Sequence, residues 1–126
     1  MAITKYTEIP EALKQYAPIV LITNILSKKW NVFILLALEK PMRFNQLQRI
    51  LGNSHSMLAR ELRDLEELGL VSRRIIEDTN PPQVEYSLLP YGKKLRAACM
   101  SMLDWADEFE KEFWSVCSEE RRLARD

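Results

Sequence analysis

The chain has 126 residues, of which 47% are hydrophobic and 29% charged, the balance of one globular domain that buries a core without disulfide or metal staples. Its 18 Lys and Arg against 18 Asp and Glu give a formal net charge of zero, which argues against a protein that grips nucleic acid by bulk electrostatics. The strongly apolar stretch 32–38 is far shorter than the ~20 residues a membrane-spanning helix needs. No cationic segment leads into an apolar run near the start, so the expectation is a cytoplasmic protein with no membrane partner.

In chain order, residues 9–16 predict a short helix opening near Pro10. Residues 18–38 are apolar at helical spacing through Ile22, Ile25, Leu26, Trp30, Phe33, Ile34 and Ala37. Ser27 is a candidate N-cap inside that run, which therefore divides into two helices, with Pro41 stopping the second. Phe44, Leu47 and Leu51 repeat at helical spacing up to Gly52 and Asn53. Ser54 then N-caps a helix whose Leu58, Leu62 and Leu65 share one stripe and which Gly69 ends. Two helices joined by a tight Gly-Asn turn, over about 44–68, make a helix-turn-helix.

After Gly69 the apolar period falls from 3.6 to 2. Residues 70–76 are strand-forming, and Val84, Tyr86 and Leu88 alternate with Gln83, Glu85 and Ser87. The polar segment 77–82 lies between them as a hairpin tip, so residues 70–88 form a β-hairpin wing. From Pro90 a long helix is expected to about Ser115. Its Leu95, Cys99, Met102, Ala106, Phe109 and Phe113 are spaced 4, 3, 4, 3, 4, the seam that two helices bury between them; Trp105 and Trp114 add apolar area. The predicted fold is thus mainly α with a small β-hairpin, a single winged helix-turn-helix domain over residues 1–126.

On a helical wheel, Ser56, Arg60, Arg63, Asp64 and Glu67 face away from the leucine stripe, with Met57 at the edge. The start of the second helix of a helix-turn-helix meets base edges in the major groove. There arginine bonds guanine in pairs, and Ser56 can bond base or phosphate. A plainer reading makes Arg60 with Asp64, and Arg63 with Glu67, ion pairs on a solvated face; the position between turn and wing favours DNA. Lys28, Lys29, Arg43, Arg73 and Arg74 are candidate phosphate contacts, although adjacent Arg73 and Arg74 face opposite sides of the hairpin. Asn80 and Gln83 can reach a neighbouring groove from the wing, and His55 stands where it can face DNA. Charge is also uneven: residues 28–74 hold 9 basic and 5 acidic side chains, an excess of +4, whereas residues 95–126 hold 5 and 8, an excess of −3.

Chemistry of other kinds finds little footing. Three glycines, all at turns or helix ends, leave no phosphate-cradling loop, and no nucleophile, base and orienter stand at motif spacing. Cys99, Cys117 and the single His55 form no metal-ligand cluster, so neither metal nor other cofactor is expected, and both cysteines read as free thiols.

The segments Lys29-Trp30, Arg43-Phe44-Asn45-Gln46-Leu47, and Leu62-Arg63-Asp64-Leu65-Glu66-Glu67-Leu68-Gly69-Leu70-Val71-Ser72-Arg73 follow one another in order. Pro81-Pro82-Gln83-Val84-Glu85-Tyr86-Ser87-Leu88 and Tyr91-Gly92-Lys93-Lys94-Leu95 continue them. Over roughly 17–105 this set resembles the HxlR family of prokaryotic winged-helix regulators, relatives of the MarR group. The resemblance implies a homodimer, formed through N- and C-terminal helices, on a pseudo-palindromic operator in double-stranded DNA. It also implies Lys29, Arg43, Ser54, Ser56, Arg60 and the wing as DNA-side positions. Ala17 stands where the family often has a cysteine before Pro18, which removes the usual thiol sensor. Ser27-Lys28 replace a usual glycine pair, and Asn53 and His55 replace a common isoleucine and proline.

The resulting expectation is a DNA-binding transcriptional regulator without catalytic activity, with room for a small-molecule effector that the sequence does not identify. Two alternatives stay open: a winged helix that docks a protein, and a redox regulator using Cys99 or Cys117. Cys99 lies on the seam, so its oxidation could lock or break a dimer.

Overall fold

A computed structural model describes residues 9–125, with side chains throughout that range except 114–122, 124 and 125. The elements run as a 3-10 helix (Glu11–Tyr16), α1 (Pro18–Leu26), α2 (Lys29–Ala37), β1 (Met42–Arg43), α3 (Phe44–Leu51), α4 (His55–Glu67), β2 (Val71–Ile76), β3 (Gln83–Leu88) and α5 (Pro90–Arg125). The architecture is mainly helical with one small antiparallel sheet of strand order β1-β3-β2. The expected hairpin is present, and the sheet gains β1, which no sequence pattern announced. The chain divides into two compact units between Arg96 and Ala97.

In the first unit, Pro18 opens α1, where its fixed φ suits a helix start and its missing N–H is no loss. The apolar run breaks at Ser27 as expected, and the two helices meet at 85°. Ser27 does not cap the second one. Its hydroxyl donates back to the Asn24 carbonyl at 2.9 Å, closing α1, while extended Lys28 takes the N-cap position of α2 without a side-chain bond. Asn31 spans the bend instead, its buried Nδ2 donating to the Ile25 carbonyl at 3.0 Å.

The core is leucine-rich and continuous across α2, α3, α4 and the wing. Ile34, Leu35, Leu47, Leu58, Leu62, Leu65 and Val71 have no exposed surface, each such side chain contributing roughly 1.5–3 kcal/mol. Gly69, at φ +74°, adopts the left-handed conformation that ends α4 cheaply. Its N–H donates to the Glu66 carbonyl, and that of Leu70 to Leu65. The strands then pair from Val71 opposite Leu88 to Ile76 opposite Gln83.

The Leu70 carbonyl accepts from Leu89 N–H at 2.9 Å, and the first turn of α5 lies directly against it. A Cβ on Gly92 would come within 2.1 Å of that oxygen. Leu95 packs on the same core, and Arg96 Nε donates to the Leu36 carbonyl at 3.2 Å.

The second unit continues α5 past Ser115 to Arg125. Cys99 is buried, whereas Met102, Trp105, Ala106, Phe109 and Phe113 are exposed. Trp105, Phe109 and Phe113 stack along the helix with ring centroids 5.1 and 5.4 Å apart. The side chains of Trp114 and Cys117 lie outside the described residues. Among the described residues no single helix is long and apolar enough to cross a membrane, and no cluster of His, Cys, Asp and Glu is arranged to hold a metal ion.

Gly92→Ala is expected to cost about 1–3 kcal/mol, because backbone must shift to admit the methyl group. A urea unfolding midpoint equal to that of the parent chain would show that α5 does not depend on this approach.

Candidate nucleic-acid interface

The turn between α3 and α4 is set by Gly52, left-handed at φ +72°, and by Ser54, whose Oγ accepts the Met57 N–H at 3.2 Å. This N-cap fixes where α4 begins, and the buried Leu58, Leu62 and Leu65 fix its rotation. The opposite face is therefore presented outward. Ser56, Arg60 and Arg63 are exposed on it, Ser54 and His55 are exposed at the N-terminal end of α4, and Met57 is half-buried at the margin.

The arginines on this face do not form the ion pairs that their spacing allows. Asp64 meets Lys28 Nζ of the α1–α2 junction at 3.6 Å, and Arg60 lies 4.0 Å from a Glu61 oxygen. Arg63 makes no ion pair among the described residues. Lys28 is thereby tied to α4, and Lys29 sits 5.2 Å over the Trp30 ring, a cation–π contact. Glu61 itself was not anticipated as an inward side chain. It is 6% exposed, and its Oε2 has no protein partner.

The sheet settles which wing arginine faces α4. Arg73 pairs opposite Tyr86 and Arg74 opposite Glu85; Arg74 Nη2 donates to Glu85 Oε1 at 2.9 Å, while Arg73 turns toward α4. Strand β1 sets Met42 against Tyr86 and Arg43 against Glu85, which brings Arg43 within hydrogen-bond reach of Gln83 Oε1. At the tip, Thr79 Oγ1 donates to the Ile76 carbonyl and accepts from Gln83 N–H, and Asn80 is exposed beyond it.

Between α4 and the wing these elements enclose a cleft of about 770 Å³. Arg43, Arg63, Arg73 and Glu66 supply its charge, and Phe44, Tyr86, Val84, Pro81 and Pro82 much of its apolar wall. The His55 ring lies 4.6 Å from that of Phe44, tilted by 48°, and Phe44 lies 6.3 Å from Tyr86. The structure thus gathers Arg43, Arg63, Arg73 and Gln83 around one cleft and sets Arg74 apart from it. Sequence spacing could not have shown the cleft, because β1 is too short to carry a pattern.

A helix-turn-helix whose second helix is bare on its outer face, flanked by a hairpin and a patch of arginine, defines the winged helix-turn-helix class. The HxlR-like helix-turn-helix family model matches residues 25–113, and the chain belongs to that family of DNA-binding transcriptional regulators. It is 34% identical over 100 residues to the HTH-type transcriptional regulator YodB of Bacillus subtilis, covering 78% of this chain and 88% of that one. It is 40% identical over 83 residues to the HTH-type transcriptional regulator YtfH of Escherichia coli, covering 64% and 65%. Among solved structures, the redox regulator HypR in its reduced form is similar with a TM-score of 0.70 at 29% identity, over 78% of this chain and 98% of that one.

The turn holds one costly group. Neither the nitrogen nor the oxygen of the buried Asn53 carboxamide finds a protein partner, although the Asn53 carbonyl accepts weakly from Gln48 Nε2 at 3.4 Å. Asn53→Ile is expected to raise stability by about 1 kcal/mol, since it removes an unsatisfied buried amide. Denaturant titration of the variant checks this, and a fall in stability would show that the amide is satisfied.

Proposed function

We propose that the chain regulates transcription as a homodimer on a pseudo-palindromic operator, without catalytic activity, in the cytoplasm. Each protomer sets α4 in a major groove, the two grooves lying ~34 Å apart on one face of the duplex. The observation that carries this reading is the outward face of α4, where Ser56, Arg60 and Arg63 are exposed and the acidic residues one turn on do not engage the arginines. Arg60 and Arg63 are the base-reading candidates; Ser54, Ser56, Met57 and Lys29 flank them. Arg43, Arg73, Gln83 and Asn80 track the strand that passes the wing, and Arg74, bound to Glu85, is left out of the set.

The exposed side chains of Met102, Ala106, Phe109 and Phe113, with Trp105 stacked among them, support the C-terminal helix as a dimer element. Leu95 serves its own core. The redox regulators among the chain's structural relatives are compatible with a thiol switch, but burial raises the Cys99 thiol above its ordinary range and favours the less reactive protonated form.

Selection from a random duplex pool should return an inverted repeat. Arg60→Ala should weaken binding to it by ~1–3 kcal/mol and relax preference at one position of each half-site. Unchanged affinity and selectivity in a fluorescence anisotropy titration would remove α4 from the recognition role. Sedimentation should give twice the chain mass of 14.8 kDa, and Phe109→Glu should return it to one; a monomeric parent chain would defeat the dimer.

A further inference from the structure

We propose that Lys28, at the bend between α1 and α2, is a positioning residue for DNA recognition: by holding the Asp64 carboxylate it keeps Arg60 of α4 available to a base edge. The effect on DNA rests on the proposal that this face of α4 reads the duplex; the hold on Asp64 does not.

Arg60 and Asp64 stand one helical turn apart, the spacing at which opposite charges pair along a helix. Left to α4 alone, Asp64 would compete with DNA for the Arg60 guanidinium. In the folded chain the two form no ion pair with each other. Asp64 lies 3.6 Å from Lys28 Nζ, and Arg60 meets only Glu61 Oε1, at 4.0 Å.

The backbone around Lys28 holds it where it can do this. Ser27 closes α1 with its hydroxyl on the Asn24 carbonyl, and buried Asn31 ties α2 back to the Ile25 carbonyl at 3.0 Å. Between them Lys28 is extended, at φ −95° and ψ 111°, and takes the N-cap of α2 with no side-chain bond to that helix. Its ammonium is left to reach α4. Ile34 and Leu35 of α2 share one buried core with Leu58 and Leu62 of α4, which fixes the bend against the recognition helix. The Lys28 and Asp64 side chains are 48% and 26% exposed, so the pair adds little to stability. What it decides is which cation the carboxylate engages.

A double-mutant cycle on the full chain tests this, read by fluorescence anisotropy with the duplex recovered by selection. Lys28→Met and Lys28→Gln should each weaken binding about two- to fivefold, the range of one exposed ion pair. Neither should have any effect once Asp64→Asn is also present. Lys28→Arg, which keeps the charge, should bind like the parent chain. The loss should fall on the base that Arg60 prefers, and the salt dependence should stay as it was. A lysine that met a phosphate would instead cost the same with either residue at position 64, and its removal would lower the salt slope by about 1; either result overturns the proposal. Without DNA, solvent exchange of the Arg60 Nε proton, followed by NMR, should slow in Lys28→Met and return to the parent rate in the double variant. An unchanged rate overturns the hold on Asp64. Slowed exchange in a chain that binds no duplex would defeat the DNA reading and leave that hold standing.

Discussion

The pairing of β1 with β3 is the constraint on which the recognition face depends. Met42 opposite Tyr86 and Arg43 opposite Glu85 fasten the residues just before α3 to the wing. Without that ladder the helix-turn-helix and the hairpin would share only the core beneath them. With it, Phe44 begins α3 beside Tyr86, Arg43 meets Gln83, and α4 and the wing become two sides of one cleft. A few backbone hydrogen bonds thus position side chains that are 40 residues apart in sequence.

A chain with no net charge reaches a basic recognition surface by disposing of its acids locally. Asp64 is taken by Lys28, Glu85 by Arg74, and Glu61 is turned inward. These exposed pairs add little to stability. Their effect is on the field, because with Asp64 and Glu85 so engaged Arg63 and Arg73 have no ion-pair partner among the described residues. Composition averages over this arrangement, so the total charge was a poor guide to what the outward face presents.

Much of the fold could be read from the chain because local rules and the core agree. Leucines at helical spacing, left-handed Gly52 and Gly69, and the Ser54 cap all fall where the elements begin or end, and the period-2 alternation of Val84, Tyr86 and Leu88 marks β3. What escaped was set by contacts distant in sequence. Ser27 has the composition of an N-cap, yet its hydroxyl is spent on Asn24. The i,i+4 partners of Arg60 and Arg63 are present, yet tertiary geometry takes Asp64 away. Leu95 shares the heptad spacing of the helix below it, yet packs on its own core. β1 carries no periodicity at all, and with it the cleft stayed out of sight.

The close approach of Gly92 to Leu70 gives the molecule a mechanical joint. A single peptide carbonyl, that of Leu70, receives the Leu89 N–H and abuts the first turn of α5, while the N–H of the same residue closes the last turn of α4. The start of α5 and the end of α4 are thus hydrogen-bonded to the two sides of a single residue, Leu70. A bulkier residue at position 92 would press on the Leu70 carbonyl, and the strain would fall on the one residue that joins α4, β2 and α5.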